Sequence, residues 1–212
     1  MLIDFSRAKG IARPDMALQG SLIKPSTSHK FLGVLLDQEL CWQHQADYAL
    51  CKASKWLLAF RRLARTASGV NLQLMRQLYH AVAIPKMAYA VDIWYTPPRR
   101  KEGAKKDSSS VGIANKLASL QQIAMLAITG ALRSTATDIL DLHTGTWPVR
   151  LLLLRLCHQA TLRLASLPDG HPLHAIYRTH ARWYIKTHRS PLHELPSIFG
   201  IVPNSIETCS PI

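Results

Sequence analysis

Acidic residues are scarce and never adjacent in this chain of 212 residues: 13 Asp and Glu stand against 26 Lys and Arg, for a formal net charge of +13. Two-metal polymerase or nuclease chemistry needs carboxylates clustered around divalent ions about 4 Å apart, and no such cluster can be read here. The closest acidic pair, Asp37 with Glu39, would point the same way on a strand but is better explained as a helix-start signal. Glycine-rich phosphate loops are missing as well, because Gly10, Gly20 and Gly33 fit neither the P-loop nor the dinucleotide pattern. No GxSxG elbow is present on which to mount a Ser-His-Asp set. The four cysteines, Cys41, Cys51, Cys157 and Cys209, include no CxxC pair, which predicts reduced thiols inside the cell rather than a disulfide scaffold. His171 and His174 lack a neighbouring Cys pair, so a solvated or capping role explains them better than zinc does. Asp4 interrupts the only early apolar stretch, which disfavours a secretory signal. The most suspicious apolar segment, His80 to Tyr95, is broken by Pro85, Lys86 and Asp92, so no membrane span is expected. The expectation is a soluble intracellular protein, nuclear or cytoplasmic, with no membrane among its partners.

What is present is enough to build a core. Hydrophobic residues make up 48% of the chain and mean hydropathy is +0.01, so general disorder is not expected. The positive charge is concentrated. Residues 41 to 100 hold nine basic side chains (Lys52, Lys55, Arg61, Arg62, Arg65, Arg76, Lys86, Arg99, Arg100) and only Asp47 and Asp92 as acids, which is +7 of the total. Such a field raises the local concentration of polyanions, nucleic acid first and anionic membrane surface second. A generic solubilising surface would look the same by charge alone.

Along the chain, short apolar stretches at Leu2 to Phe5, Met16 to Leu18 and Phe31 to Leu36 predict three short strands, separated by Gly10, Pro14, Gly20 and the Lys24–Ser28 cluster. The run from Lys30 to Asp37 is nearly continuous in apolar character and reads as a strand buried on both faces or leading into a helix, with Gly33 allowing close backbone approach. From Trp42 the period becomes helical through Ala46, Ala49, Ala53, Trp56, Phe60 and Leu63. Asn71 caps a second helix that Pro85 should kink or restart. A polar, charged loop spans Arg99 to Gly112. A third helix follows, with Leu117, Leu120, Ile123, Ala124, Ala127 and Ile128 on one face and Gly130 at its end. Thr135 with Asp138 reads as a capping pair for a short helix ending near Gly145, and Pro148 suits the first turn of a fifth helix. Beyond Leu167-Pro168-Asp169-Gly170 one short helix, Leu173 to Lys186, is expected, and the remainder reads as a loosely held tail.

Chemistry therefore reduces to a basic helix with aromatics: Lys52, Lys55, Arg61, Arg62 and Arg65 interleaved with Trp56 and Phe60. Lys and Arg contact phosphates without reading sequence. Trp56 and Phe60 lie on the apolar stripe, where a core role explains them.

The succession FSRAKG, KFLGVLLDQELCWQHQADYAL, KASKWLLAFRRLAR, LMRQLYHAVAIPKMAYAVDIWY, LQQIAMLAITGALRSTATDILDLHTGTWPVRLLLLRL and LASLPDGHPL resembles the region after the active site in reverse transcriptases of non-LTR retrotransposons, especially fungal ones. The resemblance covers residues 1 to about 175. It implies a mainly α (α+β) fold: palm-edge strands over 1–40, basic thumb-like helices over 41–98, a charged linker over 99–112, a helical continuation over 113–170 and a Pro/His-containing tail over 171–212, with about five helices in the bundle. It also implies that Phe31, Leu32 and Gly33 form a primer-grip turn, and that the helices after it cradle an RNA–DNA or RNA template-primer independently of sequence. Lys52, Lys55, Arg61, Arg62 and Arg65 extend that contact by charge and helical phase. The family's catalytic aspartates, which would hold Mg2+, would lie before Met1. This chain is then expected to be inactive as a polymerase by itself and to carry no cofactor. A basic helical module that meets an acidic protein partner or a membrane surface is the alternative.

Overall fold

A computed structural model describes residues 2–5, 14–64, 69–100, 103, 105–180 and 190–209, with His180 described by its backbone only. The chain is mainly helical with a short N-terminal β piece, as its periodicity predicts. Two compact units divide it, one made of residues 1–48 and 162–212, the other of residues 49–161.

In the first unit, β1 (Met16–Leu18) and β2 (Ser21–Ile23) form one antiparallel hairpin, and β3 (Ser28–Phe31) and β4 (Val34–Asp37) form another. The expected strand at Leu2 to Phe5 is only an isolated bridge, Leu2 to Pro25. The apolar run from Lys30 to Asp37 is not one strand. It folds back at Leu32-Gly33, because both residues take positive φ (46° and 87°), the requirement of a two-residue hairpin turn whose twist matches its strands. Val34 is buried, whereas Phe31 and Leu32 are exposed.

Asp37, read in the sequence with Glu39 as a helix-start signal, is the last residue of β4, and the first turn of the helix that follows holds no acidic residue. Asp37 is buried, and its two carboxylate oxygens accept the amides of Cys41 (2.8 Å) and Trp42 (3.1 Å) just ahead of α1 (Gln43–Leu63). The predicted tail is better anchored than its composition suggests. After α8 (Pro172–His180), α9 (Leu195–Phe199) buries Leu195 fully. The Cys209 amide donates to Ser166 O at 2.9 Å, and Arg178 Nη2 donates to Ile206 O at 3.3 Å. Prolines hid this packing from periodicity, because they fix short turns rather than long amphipathic helices. The second half of the predicted Leu173–Lys186 helix lies outside the described residues.

The second unit is a helical bundle. Asn71 caps α2 (Leu72–Leu78), its Oδ1 accepting the Gln73 amide at 3.0 Å. The helix continues through a π-helical turn, Tyr79–Ala83, into α3 (Ile84–Met87). Pro85 is the physical reason: without an amide proton it cannot continue the regular ladder, and the backbone absorbs the gap as a wider turn. After α4 (Val91–Trp94), the polar loop is closed by an Arg99–Ser108 backbone pair and an Arg100–Asp107 ion pair at 3.2 Å. α5 (Val111–Thr129) ends at Gly130, as expected, but its buried face is rotated from the expected one. Leu117, Gln121, Ala124, Met125 and Ile128 point inward, and Ile123 is exposed. α6 (Thr137–Thr144) ends at Gly145 in the left-handed conformation. Its start differs from expectation. Ala136 is the N-cap, so Thr135 sits one residue too early, and among the described residues Asp138 accepts only its neighbour's amide. α7 (Val149–Ala165) follows Pro148.

Phe60, Met75, Tyr79, Ile84, Ala124, Met125, Ile128 and Leu140 form one contiguous core. Each large apolar side chain buried there contributes roughly 1.5–3 kcal/mol of transfer free energy, and together they fix α1, α2, α5 and α6 around the π-helical turn.

Candidate nucleic-acid interface

The predicted contact residues fall into two groups. Phe31, Leu32 and Gly33 come together at the tip of the β3–β4 hairpin in the first unit. Phe31 is 58% exposed and Leu32 77%. A leucine with positive φ is strained, because its Cβ crowds the adjacent carbonyl; the cost is about 1–2 kcal/mol. The tip thus offers apolar side chains to solvent on a conformation that disfavours one of them.

Lys52, Lys55, Arg61 and Arg62 lie along α1 in the second unit. Lys55, Leu58 and Arg62 recur at three- and four-residue spacing and share one exposed face. Arg61 flanks that face on one side and the half-buried Lys52 on the other. No carboxylate pairs with Lys55, Arg61 or Arg62 among the described residues. Arg65 lies outside the described residues. Phe60 is core, at 1% exposure. Trp56 is only partly buried and does more than fill space: the Lys86 ammonium sits 4.3 Å from its ring centroid. That cation–π contact, typically about 0.5–2 kcal/mol, brings a further cation beside the helix. Lys86 is hidden in the sequence because it lies far along the chain from Trp56; only the helix restart at Pro85 hints at it.

The other basic residues of this region have local work. Arg76 Nη2 donates to Gly145 O at 3.4 Å, and Arg100 is held by Asp107. Arg76 also lies beside His80, whose pKa is lowered by burial first and by that guanidinium second.

Behind α1 a buried polar node joins three helices. Tyr79 Oη donates to Gln121 Oε1 (3.1 Å), while Gln121 Nε2 donates to Asp141 Oδ1 (2.9 Å) and to Trp147 O (3.0 Å). Gln121 is 2% exposed and Asp141 6%. Burial raises the Asp141 pKa; the Gln121 hydrogen bond pulls it down and Asp138 pushes it up. The Tyr79 phenol is also raised, by burial and then by the Asp141 charge. Beside the node is a cavity of about 20 Å³, lined by Trp56, Phe60, Tyr79, Met87 and Gln121 among others, with room for about one water. The node orients backbone and holds no nucleophile. The thiol of Cys157 is pushed up to about 12 by burial and then by Asp92, far from a reactive thiolate. No group of three or more His, Cys, Asp or Glu that could hold a metal ion occurs among the described residues.

Chemically, the exposed surface can neutralise phosphates and offer apolar contact, without reading bases. Comparison with protein-family models, with curated proteins and with solved structures finds no match to this chain.

Proposed function

We propose that this chain is the primer-grip and thumb portion of a non-LTR retrotransposon reverse transcriptase, holding a template-primer duplex without performing synthesis itself. The observation that carries the reading is the α1 face of Lys55, Leu58, Arg61 and Arg62, exposed, cationic and free of pairing carboxylates among the described residues. Sugar-phosphate backbones would release counterions on meeting it, and the Phe31-Leu32-Gly33 tip would supply apolar contact at a primer end. Mg2+ and the catalytic aspartates belong, in this proposal, to the complete family enzyme.

The test is fluorescence anisotropy of the full chain with an RNA–DNA hybrid across a salt series. Affinity is expected to fall steeply with salt, with log K against log salt sloping by about −0.9 per phosphate neutralised on B-form duplex. Replacing Lys55, Arg61 and Arg62 together with Ala should flatten that slope by up to about three such contacts. Absence of binding at low salt, or an unchanged slope in the triple variant, overturns the reading. Survival of a protein complex under excess polyanion would instead favour an acidic protein partner.

A further inference from the structure

The loop between α6 and α7 is tied to the bundle by backbone hydrogen bonds at Gly145, Thr146 and Trp147, yet it sends its largest side chain into water. Thr146 is buried; its amide donates to Asp141 O at 2.9 Å and its hydroxyl lies 3.3 Å from His80 Nε2. The next carbonyl, that of Trp147, accepts from Gln121 Nε2 at 3.0 Å, and Pro148 fixes the entry to α7. Despite these anchors the Trp147 side chain is 51% exposed. Arg155, two helical turns on, lies over its ring with the guanidinium carbon 5.1 Å from the centroid. Leu151 lies between them on the same row at four-residue spacing and is half exposed. Arg150 is exposed beside it, its Nη2 donating to Asn115 Oδ1 at 2.6 Å.

The stretch of chain that carries these groups has charge of one sign. From Leu142 to Thr161 the chain has no Asp or Glu. The acid just before, Asp141, is buried and turned toward Gln121. An aromatic plane is therefore presented with two guanidinium groups on a stretch of chain that carries no anion of its own.

We propose that Trp147 and Arg155 form a stacking platform for an unpaired nucleobase, with Arg155 and Arg150 taking the flanking phosphates: a binding site for single-stranded RNA or DNA. Stacking is the feature that separates this site from the α1 face. Every base has a π-face that an aromatic ring or a guanidinium plane can cover, whereas a duplex keeps those faces inside its own stack. Guanidinium groups match phosphate oxygens in a two-pronged geometry. An acidic peptide would satisfy the arginines but leave the ring uncovered, and the apolar row is interrupted by Arg155 before it becomes a continuous groove. The site goes beyond the duplex-holding role and stands or falls separately from it.

The experiment compares the full chain with its Trp147→Ala, Trp147→Phe and Arg155→Ala variants, by anisotropy, on fluorescein-labelled oligo(dT) and oligo(U) and on a blunt RNA–DNA hybrid. Loss of one stacked base should weaken single-strand binding on the order of 10-fold to 100-fold in Trp147→Ala, with Phe restoring most of it and hybrid affinity unchanged. Arg155→Ala, at an exposed helix position, should weaken single-strand binding and reduce its salt dependence, and it serves as the test if Trp147→Ala loses its cooperative melt. The two oligonucleotides tell whether the ribose 2′-hydroxyl contributes. Failure of the parent chain to bind either oligonucleotide overturns the proposal. So does undiminished single-strand binding in folded Trp147→Ala and Arg155→Ala, or equal losses on single strand and hybrid.

Discussion

Replacing Leu32 with Asn should make this protein more stable and, on the proposed role of the hairpin tip, weaken its hold on duplex nucleic acid. Leu32 and Gly33 are the two central residues of the β3–β4 turn, with φ of 46° and 87°. A two-residue turn with both φ values positive favours Asn-Gly, because the asparagine side chain tolerates the left-handed region and glycine has no Cβ to clash. Leucine costs about 1–2 kcal/mol there, of which Asn should recover about 1 kcal/mol. Leu32 is 77% exposed, so the substitution removes little burial in return. In a chain of this size 1 kcal/mol corresponds to a rise in Tm of about 2–4 °C, readable by circular dichroism or calorimetry. The paired measurement is hybrid affinity by anisotropy, which should fall as the apolar tip becomes polar. Gly33→Ala is the control in the opposite direction, placing a Cβ at φ 87° and costing about 1 kcal/mol or more. A Leu32→Asn variant no more stable than the parent would refute the strain argument. One that is more stable but binds the hybrid equally well would refute the contact role of the tip.

The buried hydroxyls should behave oppositely. Tyr79→Phe strands Gln121 Oε1 and should cost roughly 1–3 kcal/mol in denaturant titration, whereas Tyr95→Phe removes a buried hydroxyl that has no partner among the described residues and should be neutral or stabilising. Asp141 has a folded pKa above its unfolded value, so its contribution to stability is fullest below about 4 and declines as pH rises through the folded value. Asp141→Asn, which retains an oxygen for Gln121 Nε2, should remove that decline and leave stability at neutral pH equal or higher; a parent-like pH profile in the variant would contradict the assignment. Thiol labelling of the native chain should modify Cys41, Cys51 and Cys209 and spare Cys157, which is buried and raised to about 12, until denaturant is added.

The helical half of the fold is legible in the sequence because its signals are local. Asn71, Pro85, Gly130, Gly145 and Pro148 each act through their own backbone, as cap, break or stop, and each marks a boundary or a distortion in the structure. Expectation and structure part where a signal depends on distant partners. The run Lys30 to Asp37 looks like one strand because hydrophobicity does not register a turn that Gly33 permits. The buried face of α5 departs from its apolar periodicity because Gln121, a polar residue, belongs to the core and is accepted there only through Tyr79, Asp141 and Trp147. The candidate site divides the same way. Lys55, Arg61 and Arg62 follow from helical phase, while Lys86 on Trp56 and Arg155 over Trp147 require the folded chain.

Gln121 also bears on how α5 should be understood. By length and composition Val111–Thr129 is apolar enough to cross a membrane, with a mean hydropathy of 1.3, although the segment that draws suspicion in the sequence is His80–Tyr95. A primary amide in hydrocarbon without partners costs about 4–8 kcal/mol relative to water. Here both ends of that amide are bonded, to groups on the π-helical turn, on α6 and at the entry to α7. The neighbouring apolar residues Ala124, Met125 and Ile128 pack against Phe60, Met75 and Leu140. The apolar residues Leu117, Ala124, Met125 and Ile128 of α5 are accordingly covered within the bundle, where the helix is the common wall for α2 and α6, while Ile123 stays exposed. The same amide that would penalise insertion into lipid holds the backbone of Trp147 at the surface, so the polarity of the core and the geometry of the exposed ring are consequences of one residue.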